Sequence, residues 1–216
     1  MVSNKSRTLM EDFHPRNWLS NFEDTSIGYL FKMGFLYHGL ALVIAYAIGA
    51  IQEYGFGYEV PLPEFPLGAL LLAGPFEETL FFGIPFYLTN NHYVVLAVGL
   101  IWASFHAFNT DVTTFSFEYL SYPNLAVAVI SLFYSLRVWT SGKGWFSILF
   151  HSLYNTIAFI VLGLTVENPW AITVDRGVTE IGMLIISIPL LGITYGLYRW
   201  RKRKEQKDNH SNKQAV

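Results

Sequence analysis

Gly74-Pro75-Phe76-Glu77-Glu78-Thr79-Leu80-Phe81-Phe82-Gly83 sets two adjacent carboxylates inside an otherwise greasy segment. Leu67 to Ala73 precede it and Ile84 to Leu88 follow, all apolar apart from Gly68, Pro85 and Tyr87. A charge at the centre of a membrane helix costs about 2.5 to 3.5 kcal/mol on insertion scales. Two side by side also repel, so each needs a proton or a partner. The reading therefore works outward from this pair, first to what surrounds it and then to what could face it.

What surrounds it is apolar. Of 216 residues, 52% are hydrophobic and 17% aromatic, and the mean hydropathy is +0.34. Only 14% are charged, where a soluble domain carries about a quarter. That deficit, with several long apolar runs, implies an integral membrane protein. No cysteine is present, which excludes a disulfide framework and thiolate-bound zinc or iron–sulfur sites. The net charge of −2 identifies no partner, and no nucleic acid is expected. Residues 1–26 lack the basic-then-apolar layout of a cleavable signal peptide.

Six candidate spans follow, at 30–51, 67–88, 93–109, 123–140, 144–165 and 179–199, each near the ~20 residues that cross a bilayer. The fold class predicted is all-α, a polytopic bundle with one domain over 1–200 and a solvated basic tail over 201–216. With the N-terminus inside, Lys5, Arg7, Arg16, Lys32, Arg137, Lys143 and the run from Arg199 to Lys213 lie at or near the inner face. Only Arg176, of 14 Lys and Arg, falls outside. Inverting the chain would destroy this positive-inside bias, so both termini are placed in the cytoplasm. Trp18, Trp139, Trp145, Trp170 and Trp200 sit at span edges as an aromatic belt requires; Trp102 does not and reads as packing.

Few side chains within the spans could face the carboxylates: His38, His106, His151 and Asn155. Trp102-Ala103-Ser104-Phe105-His106 sets His106 one turn beyond Trp102 on one face, and His151-Ser152-Leu153-Tyr154-Asn155 does the same for His151 and Asn155. At 1.5 Å per residue, Glu77, His106 and Asn155 lie about 15–20 Å from the inner edge, with His151 nearer ~9 Å. These depths are compatible with one polar site. Each group also has a plainer reading: a polar pair bonding helices for Glu77 and Glu78, a helix-end residue for His106, interhelical glue for His151 and Asn155. His38 reads as packing or pore lining.

In this order, Glu77-Glu78 with Phe82-Gly83, then aromatic-x-x-x-His, then His-x-x-x-Asn on successive helices resemble the CPBP family, the CAAX proteases and bacteriocin-processing enzymes also called Abi. The family's motifs are Glu-Glu-x-x-x-Arg, Phe-x-x-x-His and His-x-x-x-Asn. Here Trp102 stands for Phe, and Phe82 stands for Arg. An arginine at that position would pair with a buried carboxylate; Phe82 leaves Glu78 to find another partner.

The resemblance implies an intramembrane endopeptidase. Glu77 with His106 would activate a water, His151 and Asn155 would donate to the oxyanion, and Glu78 would support the site. A prenylated C-terminal peptide, a leader peptide or a membrane-anchored protein would be the substrate, and the lipid bilayer the surroundings. Whether a metal takes part stays open: Glu77, His106 and His151 could hold Zn²⁺ with a free water position. Two alternatives stand beside the protease, a non-proteolytic scaffold or immunity protein of the same fold, fed by Phe82, and a small proton or cation carrier. Other intramembrane hydrolases are excluded by residues: no His-Glu-x-x-His, no Gly-x-Ser-x-Gly, and no Asp within a span. A prokaryotic plasma membrane is the expected location.

Overall fold

The computed structural model describes His14 and residues 25–58, 67–108, 120–161 and 174–214. Among the described residues the protein is helical, with no strand. Helix α1 is Ile27–Ala50, continued by a π-helical turn at Ile51–Gly55; α2 is Leu67–Ala73, followed by a π-helix at Gly74–Gly83 and by α3, Ile84–Thr89. Helix α4, His92–Phe105, closes in a 3-10 turn at His106–Phe108; then come α5, Tyr122–Thr140, α6, Trp145–Val161, and α7, Val174–Gln214. The described part of each of the six expected spans falls on one of these helical segments; residues 109 and 162–165 lie outside the described residues. The expectations for Trp18, Trp170 and most of 1–26 lie outside the described residues.

Local chemistry fixes the ends. Ser26 caps α1 by accepting from the Tyr29 N–H at 3.2 Å, and Asn91 caps α4 by accepting from Tyr93 at 2.9 Å. Both use a short side-chain oxygen for one of the orphan donors of a first turn. Asn90, with φ 51°, ends α3 in the left-handed region, which Asn tolerates better than most residues. The chain thus reverses between α3 and α4 through two asparagines. Gly142, at φ 75°, ends α5, with Gly142 N–H bonded to Trp139 C=O at 2.9 Å and Lys143 N–H to Val138 C=O at 3.1 Å. That pairing satisfies carbonyls that the last turn leaves open.

Helix α5 is the centre. On one side Leu132, Leu136 and Trp139 join Phe82, Phe86, Val95 and Trp102. On the other, Ile130, Phe133 and Tyr134 join Leu30, Met33, Tyr37 and Phe150. Every residue from Ser131 to Ser141 is buried, although Ser131, Ser135, Arg137 and Thr140 are polar. Helices α1 and α7 show the opposite: Val43 is 67% exposed and Ile185 63%. Their stretches Ile27–Gly55 and Ile181–Asp208 are long and apolar enough to cross a membrane.

One expectation needs correction and another gains detail. Within the solvated basic tail, residues 201–214 continue α7 as helix. Lys, Arg, Glu and Gln are good helix formers, and an Arg201–Glu205 pair at 3.2 Å supports the turn. Arg201 also donates to Asn90 Oδ1 and to the Phe86 carbonyl and lies 4.8 Å over the Phe86 ring, tying α7 to the α3–α4 turn. Trp139 is no belt residue: it is fully buried, because its N–H has a partner inside the bundle.

Candidate active site

The π-helix presents the carboxylates. Its wider turn leaves carbonyls short of their usual partners, and the Thr79 hydroxyl donates to those of Pro75 and Phe76 at 2.5 and 3.2 Å. Such segments occur disproportionately at functional sites. Small residues let it lie deep among its neighbours. A Cβ on Gly74 would come within 2.6 Å of the Ile148 carbonyl of α6, and one on Gly83 within 2.7 Å of the Trp139 ring. Consecutive helical residues do not share a face, so Glu77 and Glu78 turn to different partners.

Glu77 faces α4. The Trp102 indole donates to Glu77 Oε2 at 2.6 Å. Two imidazoles approach the same oxygen, His106 Nε2 at 3.6 Å and His151 Nε2 at 3.7 Å. Those distances are too long for direct hydrogen bonds, yet short enough for one water to be shared. The Glu77 side chain is 21% exposed and that of His106 26%, so this side opens to the surface of the bundle. His106 Nδ1 lies 3.0 Å from the Trp102 carbonyl. A carbonyl only accepts, so Nδ1 carries hydrogen, and in the neutral ring Nε2 is left as an acceptor toward Glu77.

Glu78 faces α5 and α6 and is 1% exposed. Its carboxylate receives three donors: Ser135 Oγ at 2.7 Å, Trp139 Nε1 at 2.9 Å and His151 Nδ1 at 3.2 Å. Ser147 Oγ donates in turn to Ser135 Oγ at 2.8 Å. His151 is the bridge, with one nitrogen on each carboxylate. A carboxylate behind an imidazole fixes its orientation and faces any charge that forms on it.

Residues 61–157 match the family described as type II CAAX prenyl endopeptidase Rce1-like. This segment is similar to that family. No curated protein and no solved structure matches the chain. The Rce1-like stretch runs from before the π-helix to within α6 and carries every residue described above, whereas α1 and α7 flank it.

Within it, Glu77, Glu78, His106 and His151 come together. Asn155 does not join them by a hydrogen bond: it lies half-buried one turn beyond His151, and its amide has no partner among the described residues. Phe82, at the position of the motif arginine, is fully buried with its ring edge-on to Trp102 at 5.4 Å. Glu78 is held from α5 and α6 instead, by Ser135, Trp139 and His151. His38 is a packing residue, bonded to the Gly34 carbonyl at 2.7 Å and stacked on Phe150. Sequence reasoning missed Ser135, Trp139 and Ser147, and it took the Trp102 N–H for packing. A signal was available: Ser135 and Trp139 are an i, i+4 polar pair on one face of an apolar span, as His151 and Asn155 are.

Among the described residues, no three His, Asp or Glu side chains form a group that could hold a metal ion. The oxygen that both imidazoles approach also accepts the Trp102 N–H, which takes up one of the carboxylate's lone-pair sites. As they stand, Glu77, His106 and His151 do not make a closed ligand set.

Proposed function

We propose that this protein is a polytopic intramembrane endopeptidase that cuts a peptide bond at or within the bilayer by means of a Glu77-activated water. Rce1-like proteins are CAAX-type proteases; the finer reading rests on one observation, the approach of His106 and His151 Nε2 to a single oxygen of Glu77 at 3.6 and 3.7 Å. A water between carboxylate and imidazole would have its protons accepted on the protein side and a lone pair left for the scissile carbonyl. Glu77 takes the proton, with His106 orienting the water. The Asn155 amide, unpartnered among the described residues, with His151 when its Nε2 is protonated, would face the oxyanion. Glu78 holds His151 in place.

The apolar exposed faces of α1 and α7 support a membrane setting; six spans in a prokaryotic plasma membrane, with cytoplasmic termini as the positive-inside bias suggests, belong to the same proposal. The substrate would be a prenylated or otherwise membrane-anchored peptide or protein, with no role for nucleic acid. A metal-dependent version would hold Zn²⁺ on Glu77, His106 and His151 and use it to polarise the water. Activity is expected to survive exhaustive chelation; loss on chelation, restored by Zn²⁺, would favour the metal version.

The deciding experiment incubates wild type and Glu77→Gln in nanodiscs with a mixed library of prenylated and membrane peptides and reads new termini by mass spectrometry. Cleavage by wild type alone is expected. Cleavage by both would move the base elsewhere. Cleavage by neither, from folded protein, would return the scaffold and carrier readings.

A further inference from the structure

We propose that Trp102 and Trp139 are paired positioning residues whose indole N–H groups hold the two adjacent carboxylates in place of a basic side chain. Each indole serves one glutamate: Trp102 Nε1 on Glu77 Oε2 at 2.6 Å, Trp139 Nε1 on Glu78 Oε2 at 2.9 Å. Both rings are buried, at 2% and 0% exposure. Among the described residues, no Lys or Arg is paired with either carboxylate; their ion-pair partners are His106 and His151.

The surroundings are shaped for these rings. Trp139 lies against Gly83 and Gly144, where a Cβ would come within 2.7 and 2.1 Å of it, so any larger residue would displace the indole from Glu78. Trp102 meets Phe82 edge-on at 5.4 Å and His106 at 4.5 Å, and its own carbonyl holds His106 Nδ1. One residue thereby orients both the carboxylate and the imidazole that face the shared water. Indole is a donor only, rigid and uncharged. It fixes a carboxylate oxygen without setting a positive charge beside the attacking water, and a donor bonded to an ionised group is among the stronger hydrogen bonds. Phe82 then belongs to the same device, since it fills the wall behind Trp102 where a cation would have no carboxylate left to serve.

The kinetic part of this proposal rests on the endopeptidase reading; the hydrogen bonds do not. Both are tested with 3-benzothienylalanine, which keeps the shape of tryptophan and lacks the N–H, placed at 102 or 139. This replacement avoids the unfolding that Trp139→Phe could cause. In nanodiscs, two of the six tryptophan indole protons should resonate downfield of the rest. Glu77→Gln should move the Trp102 signal back and leave that of Trp139, and Glu78→Gln should do the reverse. Each benzothienyl variant should lose about 10- to 100-fold in kcat, the range for outer-shell partners of catalytic groups, with KM nearly unchanged. The same replacement at the exposed Trp200 should change neither.

Wild-type kcat in the two variants, or indole signals that ignore both Glu→Gln substitutions, would overturn the proposal. If wild type cleaves nothing, the endopeptidase reading falls, and the indole signals alone decide whether the two donors hold the carboxylates.

Discussion

Glu77 and Glu78 are neighbours in sequence with opposite surroundings. Among the described residues Glu77 has one hydrogen bond, from Trp102, and two imidazoles beyond bonding distance. Glu78 has three donors within 3.2 Å and almost no solvent contact. A carboxylate that must accept a proton from water needs an open lone pair and a route for that water; one that must hold an imidazole still needs neither. The difference teaches that a helix can turn two adjacent carboxylates to separate partners; on the proposed mechanism Glu77 is then the working group and Glu78 the supporting group. Titratable pairs with contrasting environments are where acid–base roles are assigned.

The largest effect should come from removing the working group. Glu77→Gln is expected to lower kcat by about 10²- to 10⁴-fold, the range for general acid–base catalysis, while thermal unfolding in detergent stays close to wild type. A fall in stability with little loss of turnover would reverse the two roles. The second effect should be on stability. Glu78→Ala leaves the Ser135, Trp139 and His151 donors buried and unanswered, and breaking a buried charge-paired site costs about 3–5 kcal/mol. The shift in unfolding midpoint against denaturant measures it, and a change below about 1 kcal/mol would mean the site can repack around the gap.

Much of this was legible in the sequence. The six helical segments follow from apolar runs broken at Asn90-Asn91 and Gly142, and Glu77, Glu78, His106 and His151 were found because ionisable groups are rare in such runs. The different partners of the two carboxylates were not legible; only the family resemblance suggested different roles for them. Those partners depend on a π-helix, which has no distinctive local composition, and on Ser135 and Trp139, whose i, i+4 spacing reads like ordinary helix packing. Trp139 near the end of a span looks like an interfacial tryptophan until Gly83 and Gly144 are known to lie against it. Asn155 shows the converse. Its spacing from His151 puts both on one face, yet a shared face does not supply a hydrogen bond.

The contrast can also be probed through the backbone that creates it. A methyl at Gly74 would meet the Ile148 carbonyl at 2.6 Å and the Ser152 backbone nitrogen at 3.0 Å; backbone cannot step aside as a side chain can. Gly74→Ala should therefore push the start of the π-helix from α6 at a cost of about 1–3 kcal/mol. Both carboxylates should be disturbed together, with kcat and stability falling in one variant.

The smallest expected effect is the sharpest test of how far the supporting shell extends. Ser147 touches neither carboxylate; it donates to Ser135, which donates to Glu78. Ser147→Ala removes one buried hydroxyl bond and should cost about 1 kcal/mol, seen in denaturant midpoints. Ser135 keeps its own bond to Glu78, so His151 should stay in place and kcat should change little. A loss of turnover as large as that at Glu78 would mean that the serine pair acts as one unit with the carboxylate. The supporting side would then begin on α6, one helical turn before His151.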